Sequence, residues 1–449
     1  MKYKIGVIGS GYVGLITAVG LSEIGFDVIN QDINVEKIRE LNNGEIPFYE
    51  KGLEDIIKRN VQLKRLKFTI DLKFLVENSD IIFIAVGTPP KEDGSADLTY
   101  IFECAEGIAR YINNYKVIII KSTVPPGTCK SFEKYLKELL FYNNKEYDFD
   151  VISNPEFLRE GNAIYDFFNP DRIIVGISSQ KVIKIINFIY QYFINKNIKI
   201  LFTNRESSEL IKYGSNCFLA MKISFINELA ILCEQIGGNI IEVSEGIGLD
   251  KRIGNSFLKA GPGYGGSCLP KDTKALYSYA LEKGFYMRTI KSTIEANEFQ
   301  IDYVTKKIIE VLDPINGKIV NILGLTFKPE TDDIRESPSI KLVKNLIKLD
   351  VYLKLYCPKG MPAAKRFLAK ETGITFCENI YDSFIDSEAC IIATDWMEFK
   401  NFDHEFATKF MKNNILFDLR NIFYDNEKIK SSFNYYGLGI SFEKNKIKI

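Results

Sequence analysis

The sequence predicts an α/β protein: two parallel-sheet domains joined by a long central helix. Three patterns carry that expectation. Short runs of β-branched residues alternate with helical stretches from Lys4 onward, a long apolar run at helical spacing follows Thr203, and the alternation restarts at Lys318. Such alternation buries a parallel sheet between two layers of helices. At 449 residues the chain exceeds one ordinary core. The expected boundaries are 1–203, 204–314 and 315–449.

Lys4-Ile5-Gly6-Val7-Ile8 reads as a buried strand, Leu15 to Ile24 as a helix, and Phe26 to Asp32 as a second strand ending in an acid. Between the first two stands Gly9-Ser10-Gly11-Tyr12-Val13-Gly14. Glycines there permit a tight turn and close approach to a pyrophosphate at the helix N-terminus, and Asp32 is placed for the ribose hydroxyls. This is the Rossmann-like dinucleotide context. A carboxylate at position 32 repels a 2′-phosphate, which argues for NAD over NADP. Lys37 is either a solvated lysine or a second group at the same end of the cofactor.

Three further strands end in polar clusters. Asp80 to Val86 runs into Gly87-Thr88-Pro89-Pro90, Lys116 to Lys121 into Ser122-Thr123-Val124-Pro125-Pro126-Gly127-Thr128, and Val151 to Ser153 into Asn154-Pro155-Glu156-Phe157-Leu158-Arg159-Glu160-Gly161. Proline and glycine end strands routinely. Ligands in open parallel sheets also bind at strand C-termini, and three such ends bearing Thr or Glu favour a site. Arg172–Gly176, a helix near Lys181–Phe193 and Ile198–Phe202 complete the domain.

Thr203-Asn204-Arg205-Glu206 matches a capping box and opens a helix running to about Glu234. Leu210, Ile211, Phe218, Met221, Phe225, Leu229 and Cys233 recur at helical spacing as core or dimer surface. Lys212 and Asn216 share one face, to which Asn227 returns, and on so apolar a helix that stripe suits a polar cavity. Lys251, Arg252 and Lys259 form either a diphosphate site or a surface charge cluster. They lead into Gly261-Pro262-Gly263-Tyr264-Gly265-Gly266-Ser267-Cys268-Leu269-Pro270-Lys271-Asp272. There a glycine-rich loop delivers a cysteine near a lysine. The thiol is either structural or, partly ionised, a nucleophile toward carbonyl carbon.

A second, smaller α/β unit begins at Lys318–Leu323. Its first loop lacks the glycine pattern and carries Lys328, Thr331, Asp332, Asp333, Arg335 and Glu336, either solvated surface or a different nucleotide site. Ser337-Pro338 suits an N-cap and first helical position. Val351–Tyr356, Ile374–Cys377, Ala389–Ala393 and Ile415–Leu419 supply further strands.

Composition narrows the chemistry. Formal net charge is zero, so no global field gathers nucleic acid or an anionic membrane. No stretch reaches the roughly 18 uninterrupted apolar residues of a membrane span, and the N-terminal apolar run does not read as a signal peptide. Eight cysteines without a C-x-x-C pair suit reduced thiols in a cytoplasmic protein. The single histidine, His404, argues against a Ser-His-Asp hydrolase and against a histidine-based metal site, so no metal is expected. Acid–base work falls to Glu, Asp, Lys or Cys.

Taken together, the glycine turn, Val86-Gly87-Thr88-Pro89, the Ser122–Thr128 and Asn154–Gly161 clusters, Gly265–Asp272 and Phe327-Lys328-Pro329 resemble the UDP-glucose/GDP-mannose dehydrogenase family over nearly the whole chain. Arg252-Ile253-Gly254 through Phe257-Leu258, with Gly263-Tyr264, resembles the branch acting on UDP-glucose. Leu269 departs from it, standing where many such members have Phe, and Cys357 replaces an Asp of the last domain. The resemblance implies an NAD-binding first domain, a central dimerisation and catalytic region and a UDP-sugar-binding last domain. It implies a four-electron oxidation of UDP-glucose at C6 with two NAD reduced; GDP-mannose or a UDP-N-acetylhexosamine is the alternative substrate. By the same resemblance Cys268 is the nucleophile, and Lys212 and Asn216 stabilise the charged oxygen. Asp272, with a water near Thr123, manages protons, and Glu156 assists thioester hydrolysis. Gly9, Gly11, Tyr12, Val13, Gly14, Asp32, Lys37, Thr88, Thr123, Glu160 and Arg335 serve the cofactor. Glu156, Phe157, Leu158, Lys212, Asn216, Phe257, Lys259, Tyr264, Gly265 and Lys328 hold the sugar nucleotide. Arg252 is supplied by the neighbouring subunit of a homodimer built on the central helix.

Overall fold

A computed structural model describes residues 3–441. The chain forms two compact units divided between Ser215 and Asn216, inside the helix Arg205–Ile236. Each unit therefore holds one part of that helix.

The first unit contains β1 (Lys4–Ile8), β2 (Asp27–Gln31), β3 (Leu66–Thr69), β4 (Ile81–Ile84), β5 (Lys116–Ile120), β6 (Phe149–Ser153), β7 (Ile173–Gly176) and β8 (Ile200–Thr203). They lie in the order β3-β2-β1-β4-β5-β6-β7-β8. The first six pair in parallel. β7 meets β6 antiparallel at Ser153 and Gly176 and carries β8 parallel to itself. The strand order reverses between β1 and β4, where open sheets of this kind leave a crevice.

Side-chain alternation explains the layers. Ile81 and Phe83 join Leu15, Ile16 and Val19 in one apolar cluster, while Ile82 and Ile84 join Ile101, Phe132 and Leu136 in another. A strand sends successive side chains to opposite faces, so continuous apolar runs such as Val117–Ile120 mark strands covered on both sides.

The second unit contains β9 (Ile319–Leu323), β10 (Tyr352–Tyr356), β11 (Ile374–Phe376), β12 (Ala389–Ile392), β13 (Ile415–Asp418) and β14 (Asn434–Gly437). Their order is β11-β10-β9-β12-β13-β14, parallel throughout. The reversal recurs here between β9 and β12. Helices Leu269–Glu282 and Arg288–Leu312 precede this sheet in the chain. Ser337 caps the helix Pro338–Ile347 by accepting the Ser339 N–H.

Some elements differ from expectation. The helix expected near Lys181–Phe193 is a 3-10 turn, Gln180–Val182, and two helices, Ile183–Ile189 and Gln191–Ile194. At the break Tyr190 is buried and donates its hydroxyl to Asn154. The long helix is capped by Asn204, whose Oδ1 accepts the Ser207 N–H at 2.7 Å, rather than by Thr203, the last residue of β8. Edge strands β3 and β14 were not foreseen.

By length and composition Arg205–Ile236 is apolar enough to cross a membrane. Three of its polar side chains, however, are engaged within the protein. Lys212 pairs with Glu156 in the first unit. In the second, Ser224 donates to the Thr293 carbonyl at 3.0 Å and Asn227 accepts the Gly261 N–H at 2.9 Å. Those partners suit a core helix.

Candidate active site

The glycine turn joins β1 to the helix Tyr12–Glu23, whose N-cap is Gly11. Gly9 lies at φ +99°, and a Cβ there would stand 2.6 Å from the Ala85 carbonyl oxygen. At Gly14 it would stand 2.1 Å from the Gly9 oxygen. Gly11 differs: a Cβ there meets nothing within 4 Å. The helix start has no side-chain cap and no acid in its first turn, so its N–H groups and dipole suit an anion. This open cradle fits a pyrophosphate. Gly11→Ala is accordingly expected to leave the melting temperature unchanged yet weaken NAD binding at least about tenfold; Gly14→Ala is expected to impair folding itself. Calorimetric titration beside a thermal melt checks the contrast, and equal NAD affinity in a folded Gly11→Ala protein contradicts it.

Asp32 follows β2. Its Oδ2 accepts the Ser10 N–H at 2.8 Å and the Lys37 ammonium at 3.0 Å, and Oδ1 accepts the Asn34 N–H at 2.9 Å. Burial alone raises the carboxyl; the Asn34 and Ser10 amides and Lys37 outweigh it and hold Asp32 below the usual carboxylate range. The acid is thus fixed as an anion beside the turn, with Lys37 as its ion-pair partner. Tyr12 and Val13 open the helix, half-buried.

At the strand ends, Thr88 Oγ1 donates to the Thr123 carbonyl at 2.9 Å, tying two of the polar clusters together. Glu209, on the long helix, accepts the N–H groups of Gly127 and Cys129 at 2.6 and 2.8 Å and so anchors the end of the Ser122–Thr128 loop. Glu156 is buried; it accepts the Leu158 N–H at 2.5 Å and the Lys212 ammonium at 3.0 Å. Phe157 lies beneath the Arg172 guanidinium, 4.1 Å from the ring centroid, and 5.3 Å from the Lys212 nitrogen. Lys121 donates to Asn154 Oδ1 at 3.0 Å, and burial pushes its ammonium down to about 8 against the opposing pull of Glu156.

In the second unit Cys268 is half-buried and N-caps the helix Leu269–Glu282, its carbonyl accepting the Asp272 N–H at 2.8 Å. Pro270 opens that helix, where a missing N–H costs nothing. Sulfur therefore sits where the helix dipole favours negative charge. One turn on, buried Asp272 accepts from Lys271 and from Asn216 Nδ2, each at 2.6 Å. Ser267 Oγ is 3.6 Å from the sulfur.

The preceding glycine loop is pinned through its backbone. Asn227 and Gln300 hold Gly261, and Asn297 holds both the N–H and the carbonyl of Tyr264. Gly266 is at φ +84°, and a Cβ on Gly265 would stand 2.4 Å from the Glu336 oxygen. Tyr264 is buried, its phenol pushed up to about 12 by burial. Phe257, at φ +64°, and Lys259 are exposed. Arg252 is exposed and pairs with Asp250 at 2.5 Å. Lys328 lies over the Phe327 ring, and Arg335 grips Asp333 at 2.7 Å.

The structure thus gathers Asp32 with Lys37, Thr88 with Thr123, Glu156 with Lys212, and Asn216 with Lys271 and Asp272. Sequence reasoning missed Glu50, Lys121, Glu209 and Arg420. Arg420 follows β13 and donates to the Ala393 and Phe327 carbonyls at 3.0 and 3.4 Å. Lys121 left a usable signal, a lysine directly after the apolar run Val117–Ile120. No cluster of His, Cys, Asp and Glu able to hold a metal occurs among the described residues.

Comparisons with known proteins bear on the same segments. Models of the UDP-glucose/GDP-mannose dehydrogenase family match in chain order: the NAD binding domain over residues 3–194, the central domain over 206–299 and the UDP binding domain over 321–425. UDP-glucose 6-dehydrogenase TuaD of Bacillus subtilis is 42% identical over 97% of this chain and 93% of its own. A UDP-glucose 6-dehydrogenase of Rickettsia felis is 43% identical over 97% and 96%. Among solved structures, a UDP-glucose dehydrogenase from Pyrobaculum islandicum superimposes with a TM-score of 0.90 at 34% identity, covering 98% of each chain. The chain belongs to the UDP-glucose/GDP-mannose dehydrogenase family.

Proposed function

We infer that this chain is an NAD-dependent enzyme that oxidises the C6 alcohol of UDP-glucose to the carboxylate of UDP-glucuronate. The observation that carries the reading is Cys268 at the start of a helix whose Asp272, one turn on, is held between Lys271 and Asn216. Near-full-length likeness to curated UDP-glucose 6-dehydrogenases supports it.

The residues divide the work. Asp272, through a water, takes the alcohol proton. The glycine cradle and Asp32 would hold NAD, which would supply the hydride acceptor for each of the two oxidations. The Cys268 sulfur then bonds to the aldehyde carbon, giving a thiohemiacetal that retains the intermediate. Lys212 and Asn216, one helical turn apart, donate to the oxygen that carries developing charge. Loss of the hydroxyl proton, and of a second hydride to that acceptor, leaves a thioester. Glu156 directs a water onto it, breaking the carbon–sulfur bond and returning the thiol. Per sugar, one water enters and two hydrides and three protons leave.

Gly9, Gly11, Tyr12, Val13, Gly14, Asp32, Lys37, Thr88, Thr123, Glu160 and Arg335 form the proposed cofactor set. Phe157, Leu158, Phe257, Lys259, Tyr264, Gly265 and Lys328 join the catalytic groups in holding the sugar nucleotide. The segments 1–203, 204–314 and 315–449 correspond to cofactor, catalytic and UDP-sugar roles. Phe218, Phe225 and Leu232 stay exposed on one stripe of the long helix, which supports a homodimer in which each subunit lends Arg252 to its neighbour. Eight cysteines without a C-x-x-C pair suit work in the cytoplasm. Nucleic acid and membrane have no part in this reading.

The deciding measurement is NADH formed per UDP-glucose consumed, with the acid identified. Two are expected. One NADH with an aldehyde product overturns the thioester route, and turnover only with GDP-mannose or a UDP-N-acetylhexosamine reassigns the sugar.

A further inference from the structure

Glu50 lies in the irregular segment between the helices Val35–Asn42 and Leu53–Gln62 and is 3% exposed. A carboxylate withdrawn from water needs donors, and this one draws them from two distant stretches. The Tyr12 hydroxyl donates to its Oε2. The N–H of Gly161 reaches the same oxygen at 2.8 Å, and that of Ala163 reaches Oε1 at 2.8 Å. Gly161 is at φ +77°, a conformation glycine adopts without steric cost. Burial and the Glu50 carboxylate hold the Tyr12 phenol above its ordinary range, so it keeps its proton and remains a donor. The Tyr12 ring packs on Phe48 with centroids 4.7 Å apart, which steadies the segment delivering Glu50.

Tyr12 is the first residue of the helix after the glycine turn, and Gly161 directly follows Glu160. We propose that Glu50 is a positioning residue of the dinucleotide site. With Tyr12 it locks the backbone from Arg159 to Ala163, and so the stem of Glu160, at a fixed distance from the glycine turn. The group served is a nicotinamide dinucleotide, and the inference rests on the reading of Glu160 as its neighbour. Several charge-assisted bonds converge on one carboxylate, so its partners act together rather than independently.

Full-length Glu50→Gln, Tyr12→Phe and the double variant decide the matter, by calorimetric titration with NAD and by steady-state kinetics with UDP-glucose. Gln keeps the volume but loses the charge and one acceptor. Glu50→Gln is expected to raise the Kd and KM for NAD about tenfold, and Tyr12→Phe about threefold. The double variant should be no weaker than Glu50→Gln alone, because the two side chains serve one lock. The KM for the sugar nucleotide should stay unchanged. A merely structural role reduces the folded fraction, which lowers apparent kcat and leaves both KM values alone. That pattern, an unaltered NAD Kd or an additive double variant overturns the proposal. If Glu50→Gln fails to fold, Tyr12→Phe decides by the same criterion. A wild-type protein that binds NAD but does not oxidise UDP-glucose sinks the substrate assignment, and the calorimetric comparison still judges Glu50.

Discussion

Replacing Cys268 by serine is expected to suppress acid formation roughly a thousandfold or more while leaving NAD affinity at the wild-type value. The sulfur stands at a helix N-terminus, where negative charge is favoured without any neighbouring base. A serine hydroxyl at the same place needs a base to become nucleophilic. In the proposed reaction Asp272 serves the sugar alcohol rather than residue 268, and the sole histidine, His404, begins a helix of its own. The check is single-turnover acid formation, together with mass analysis of the wild-type protein quenched during reaction. Undiminished acid in the variant, or no sugar adduct on Cys268 in the wild type, defeats the covalent route.

The second large effect concerns the Lys212–Glu156 pair, whose side chains are only 4% and 6% exposed. Lys212→Met is expected to destabilise the protein by about 3–5 kcal/mol, because it strands a carboxylate out of water. It should also lower kcat about a hundredfold or more through loss of an oxyanion donor. The double variant Lys212→Met/Glu156→Gln neutralises both partners. Stability should return most of the way and kcat should not. Urea unfolding and initial rates measure the two quantities separately. Unchanged stability in the single variant contradicts the burial argument, and restored activity in the double contradicts the catalytic one.

Local chemistry was legible in the sequence; pairing across the chain was not. The turn at Gly9, Gly11 and Gly14 and the acid at Asp32 could be read because their physics lies within one strand–turn–helix–strand unit. Glu156 and Lys212 were each singled out, but nothing in a linear pattern says that the carboxylate accepts from that ammonium. Glu50 was invisible for the same reason: it has no periodicity, and its donors come from Tyr12, Gly161 and Ala163. Short edge strands also escaped. Leu66-Lys67-Phe68-Thr69 leaves Lys67 exposed, and Asn434-Tyr435-Tyr436-Gly437 lacks an aliphatic run. At the long helix two capping residues competed, and β8 claimed Thr203, leaving the role to Asn204.

The same strand-order reversal occurs once in each sheet, at β1/β4 and again at β9/β12. In the reaction proposed above, a separate scaffold for each nucleotide would let spent NADH depart and fresh NAD arrive while the half-oxidised sugar stays anchored by its UDP moiety and its bond to sulfur. On that reading the free aldehyde would never diffuse into bulk solution between the two oxidations.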